Sequence, residues 1–110
     1  MKPGIYLATF QSSLGHFGSG IVVIENGKIH GGDTGYVYTG TYKENIPNAS
    51  ATIAVKNFDP QQPSVFGMLN HCHLTLVGTV SGSSFSMAGS IMQQPDQRIA
   101  ISGRLIADMI

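Results

Sequence analysis

The chain has 110 residues, 42% of them apolar and 11% charged, with six basic residues balanced by six acidic ones. That length supports one domain with one core, and the apolar share excludes a disordered chain. Zero net charge argues against the Lys- and Arg-rich surface that binds nucleic acid, so no nucleic-acid partner is expected.

From the N-terminus, "MKPGIYLATFQSS" carries a lysine, but its apolar run is interrupted and no cleavage site follows. No stretch approaches the roughly 18 apolar residues of a membrane helix, so the expectation is a soluble cytoplasmic protein with no membrane partner. Period-two alternation then dominates. Strands are predicted at 5–10, 21–24, 28–30 and 50–55. "YVYTGTY" sets Tyr36, Tyr38, Gly40 and Tyr42 on one face. "LTLVGTV", "FSMAGSI" and "IAISGRL" repeat the pattern through Leu74–Val80, Phe85–Ile91 and Ile99–Leu105. Their other faces are mostly Ser, Thr and Ala, as in half-solvated antiparallel strands. Asn26-Gly27 predicts a type I′ hairpin, and Ser81-Gly82 and Pro95-Asp96 predict later turns. A short helical turn is expected in "QQPSVFGML", residues 61–69, with Pro63 at its first position. Eight short strands with tight turns predict an all-β fold, a small antiparallel barrel or sandwich, over residues 1–110.

Gly40, Gly78, Gly89 and Gly103 fall in phase with the large apolar residues, so each points inward. Inward glycines allow strands to bend and close a barrel, or they leave room for a ligand. Under the second reading Tyr6, Phe10, Tyr36, Tyr38, Tyr42, Phe85 and Met87 would line an apolar ligand site. Under the first they are packed core.

Residue patterns for chemistry are thin. Gly31-Gly32-Asp33 leads into a tyrosine-rich strand, not a helix, and lacks the lysine of a phosphate loop. The expectation is a turn in which Asp33 bonds nearby amides. In "HCHL", His71 and His73 share a face while Cys72 points the other way, which leaves two zinc ligands where three or four are required. His16, His30 or Asp33 would have to supply the rest. Cys72 reads as a small buried apolar residue, and as the only cysteine it excludes an internal disulfide. The carboxylates are scattered, with no acid–base pair, so no catalytic residue, metal or cofactor is expected.

Residues 3 to about 90 resemble the GrlR-like family of small bacterial regulators, the negative regulators of type III secretion loci. The resemblance rests on "GIY" at 4–6 and "ENGKIHGGDTGYVYTGTY" at 25–42, with "PSV" at 63–65 followed by "HLTLVGTV" adding a weaker match. It implies a lipocalin-like β-barrel of about eight strands that forms a homodimer. It further implies repression by binding a transcriptional activator rather than DNA, and an apolar interior able to hold a lipid-like molecule. Family members that bind the activator carry an acidic surface loop after the Tyr-x-Gly strand. The matching stretch here is "KENIPNAS", residues 43–50, where Lys43 is basic and Glu44 alone is acidic. Lys43, Glu44 and Asn45 are therefore the candidate partner-binding residues. Two functions follow as expectations: a regulator that binds a protein through this loop, or a barrel that binds an apolar ligand inside.

Overall fold

The computed structural model describes residues 1–13, 15, 17–59 and 71–109. Eight antiparallel strands form one closed barrel: β1 (Gly4–Ser12), β2 (Phe17–Glu25), β3 (Lys28–Gly32), β4 (Tyr36–Asn45), β5 (Asn48–Asn57), β6 (His71–Ser81), β7 (Ser84–Ile91) and β8 (Gln94–Asp108). Each strand pairs with the next in sequence, and β8 pairs with β1 to close the wall. Of the barrel or sandwich that the alternation left open, the chain forms the barrel that the resemblance implied, with no helix among the described residues. The helical turn expected at 61–69 lies outside them.

Alternation sets which side chains enter the barrel. On β6, Cys72, Leu74, Leu76 and Val80 are buried while His71, His73, Thr75 and Val77 face out. The same phase buries Tyr6, Ala8 and Phe10 on β1 and Ile99 and Ile101 on β8. One continuous apolar core results.

Three turns show how local chemistry fixes register. Asn26 and Gly27 both have positive φ, 53° and 77°, as a type I′ hairpin requires, so Glu25 stands opposite Lys28. Gly82 turns β6 into β7 with φ 61°. Between β7 and β8 the turn lies at Met92–Gln93, not at the expected Pro95-Asp96. There Ile91 pairs with Gln94 and Ser90 with Arg98, so Pro95, Asp96 and Gln97 form a bulge. Proline has no N–H to give to a ladder, and an unpaired bulge position suits it.

Three of the four inward glycines serve closure. A Cβ on Gly89 would lie 1.7 Å from the Thr75 carbonyl oxygen, and one on Gly78 would lie 2.0 Å from that of Ser86. Gly40 meets the Thr52 carbonyl oxygen at 2.2 Å. At these points the next strand's backbone occupies the side-chain position, which is how a small barrel coils tightly enough to close. Gly103 differs, because there the Phe85 ring fills the space, 2.3 Å from the would-be Cβ.

Candidate functional site: a filled interior and an outer groove

The seven residues expected to line the interior do converge there. Tyr6, Phe10, Tyr36, Tyr38, Phe85 and Met87 are buried, and Tyr42 packs partly buried against them. Phe10 and Tyr38 meet edge to face at 5.4 Å between ring centres, and Tyr6 and Phe85 lie tilted at 5.8 Å. Both geometries are favourable aromatic packing.

Their hydroxyls are tied down at the two ends of the barrel. At one end Tyr38 donates to Asp33 Oδ2, while Asp33 Oδ1 accepts from the amides of Gly35 and Tyr36, each at 2.9 Å. Asp33 thus closes the turn as expected, whereas Gly31 and Gly32 are not turn residues but the last two of β3, paired with β2 and β4. Burial and the Asp33 carboxylate push the Tyr38 phenol well above its usual range. At the other end Tyr6 donates to the Lys2 carbonyl oxygen at 2.5 Å. Burial first, then Tyr42, Glu44 and Asp108, raise its phenol as well.

What remains inside is small. A cavity of about 40 Å³ lies among Phe10, Tyr38, Phe85, Met87 and their neighbours, and Met1 reaches into it from the mouth. The Met1 side chain is 2% exposed and its amine pairs with the Glu44 carboxylate. By comparison, sites for drug-sized ligands run to roughly 300 Å³ or more.

The residues flagged for partner binding lie elsewhere than in a loop. Lys43, Glu44 and Asn45 are the last residues of β4, and Asn48 opens β5, leaving a two-residue turn with a cis Ile46–Pro47 bond. The Pro47 carbonyl oxygen accepts from Val80 N at 2.8 Å, which holds this turn against β6. Parity splits the three residues: Lys43 and Asn45 face out, and Glu44 turns toward the barrel mouth. All three line a surface groove of about 530 Å³, whose far side includes Asn48, Ser50, Val77 and Thr79. Asn48 and Ser50 fall in the 43–50 stretch that the sequence singled out, though not among its candidates, and Val77 and Thr79 lie outside it. Register supplies them, with Lys43 opposite Ser50, Ser50 opposite Val77, and Asn48 opposite Thr79, but it requires the turn length and the β5–β6 pairing.

The histidines behave as their spacing implied. His71 and His73 face out, and Cys72 is buried between them. The His73 ring meets the Gln93 side-chain amide at 2.9 Å. Among the described residues no three potential ligands gather to hold a metal. Desolvation raises the Cys72 thiol from 9.0 to about 11, which keeps it protonated and unreactive.

A closed eight-stranded up-and-down barrel with a packed aromatic interior defines the class: a lipocalin-shaped barrel. Within that class the chain belongs to the GrlR family, described as T3SS negative regulator, whose family model matches residues 1–109. Comparison with curated proteins gives no match.

Proposed function

We propose that this protein regulates by binding another protein at its outer surface, as a non-enzymatic cytoplasmic factor that does not contact DNA. The observation that carries the reading is the contrast between its interior and its wall. The interior retains about 40 Å³, whereas the wall at the β4–β5 turn offers a groove of about 530 Å³. Membership of a family of negative regulators supports a partner in the secretion machinery's control, reached through the end of β4. An apolar ligand inside would need the cavity to grow several-fold within a close-packed core, so the surface reading is preferred.

The protein acts as a homodimer through the opposite wall. Outward positions on β1 and β2 are Ile5, Leu7, Ile21 and Val23, and Val37 and Ile106 extend this apolar patch. Outward positions on β7 are Ser84, Ser86, Ala88 and Ser90. Two strands on each side, β3–β4 and β7–β8, separate β1–β2 from β5–β6 around the barrel, so a dimer formed there leaves the groove open. Apolar surface ringed by polar residues is the usual anatomy of such an interface.

The test is co-purification from the native host with wild type and with Ser50→Arg, which fills the groove. A specific partner with wild type that is lost with Ser50→Arg is expected, along with no mobility shift of promoter DNA. DNA binding by the purified protein would overturn the proposal. Leu7→Asp is expected to give a monomer in sedimentation while leaving the partner bound.

A further inference from the structure

The groove's charge indicates what it takes. Strands β4 to β7 contain the cations Lys43 and Lys56, with His71 and His73, and a single carboxylate, Glu44. That carboxylate faces the barrel mouth, 15% exposed and paired with the Met1 amine. Glu44 also lines the groove, and its carboxylate, held by the Met1 amine, is the one anion these four strands contribute to it. Lys28 stands opposite Thr41 on the neighbouring strand, a diagonal neighbour of Lys43 on the same outer face. Glu25, across the hairpin from Lys28, is the nearest outward carboxylate along the chain, and it makes no ion pair with either lysine. Lys28 and Lys43 form no ion pair among the described residues.

Around Lys43 the groove supplies neutral hydrogen-bonding groups, Asn45, Asn48, Ser50 and Thr79, beside exposed carbon. Val77 is 65% exposed and Ile46, at the turn, is 71% exposed. A cation, side-chain amides and apolar contacts together fit an extended peptide carrying a carboxylate next to an aliphatic side chain. Nucleic acid fits less well, because the wall lacks arginine and the clustered cations that phosphate requires. A basic segment would meet Lys43 and Lys28 with only the Glu44 carboxylate, already paired with the Met1 amine, to offset them.

We infer that the groove between Lys43 and Val77 docks an acidic, aliphatic segment of a protein partner. This rests on the surface-binding reading above and gives that partner its chemistry. Charge complementarity of this kind governs which segment is accepted more than how tightly it is held.

The experiment uses ¹⁵N-labelled protein and three probes: a blocked short peptide of alternating glutamate and valine, its lysine–valine counterpart, and an oligothymidine strand. The glutamate peptide is expected to shift the amides of Asn48, Ser50, Val77 and Thr79, and to bind about fivefold more weakly to Lys43→Glu at low salt. Lys43→Met, which keeps the stem and removes the charge, is expected to fall between the two. Equal or stronger shifts with the lysine peptide or the oligothymidine, or no shifts at these amides with any probe, would overturn the inference. A host partner that binds wild type and Lys43→Glu equally would also overturn it while leaving the regulator reading in place. Binding of the glutamate peptide at the groove with no host partner recovered would support the inference and count against that reading.

Discussion

Gly89→Ala tests whether the inward glycines exist to let strands touch. Its Cβ would sit 1.7 Å from the Thr75 oxygen, 2.8 Å from the Thr75 carbonyl carbon and 3.0 Å from Leu76 Cα. All three are backbone atoms of β6, and β6 is itself held by β5, so relief requires two strands of a closed wall to separate. Overpacking a core side chain costs about 1–3 kcal/mol, and immovable backbone puts this case at the upper end, about 3 kcal/mol. For a domain of this size that corresponds to a fall in Tm of roughly 12–20 °C. Gly103→Ala provides the comparison, since its Cβ meets the Phe85 ring rather than backbone. In Phe85→Leu the added cost of Gly103→Ala should shrink below about 1 kcal/mol, while that of Gly89→Ala should persist. Urea unfolding of the single and double variants reads all of these. A Gly89→Ala protein within about 0.5 kcal/mol of wild type would refute the steric argument.

Three further outcomes follow. Tyr38→Phe removes a hydrogen bond to a carboxylate and should cost about 1.5–3 kcal/mol in urea unfolding, with little change in the near-ultraviolet signal of the other tyrosines. Cys72 should resist thiol reagents in the folded protein and react on unfolding. Because its folded-state value is raised, its contribution is intact below pH 9.0 and is lost as the pH rises toward about 11. Stability should therefore fall over that interval by at most about 1.4 kcal/mol per pH unit from this group, a limb that Cys72→Ala removes.

Much of the architecture was legible because burial enforces a two-residue period. Tyr36, Tyr38, Phe85 and Met87 all lie inside, as their phase required, and Cys72 points away from its flanking histidines. Strand ends were harder to read. β2 begins at Phe17 rather than Ile21, because Gly18-Ser19-Gly20 gives no hydrophobic signal yet still pairs with Ala8-Thr9-Phe10. A Cβ on Gly20 would lie 3.1 Å from the Tyr38 ring, a long-range reason for a small residue that no local window contains. The candidate partner site was half visible. Lys43 and Asn45 stood out as departures from an acidic pattern, but Ser50, Val77 and Thr79 join them only through cross-strand register. Glu44 reads as a surface charge in sequence, and only the strand's phase shows that it faces the mouth.

Closure of β8 onto β1 separates this wall from its other seven seams. Every other pairing joins strands adjacent along the chain, so each can zip up from its own connection. The β1–β8 seam joins Gly4 to Asp108 and Ser12 to Ile99, and no short turn guides it. A substitution that loosens this seam would free two unpaired backbone edges at once, each complementary to the other's counterpart on a second molecule. Strand exchange between copies is then the route by which a damaged barrel becomes an assembly, and its first sign would be amide exchange confined to β1 and β8.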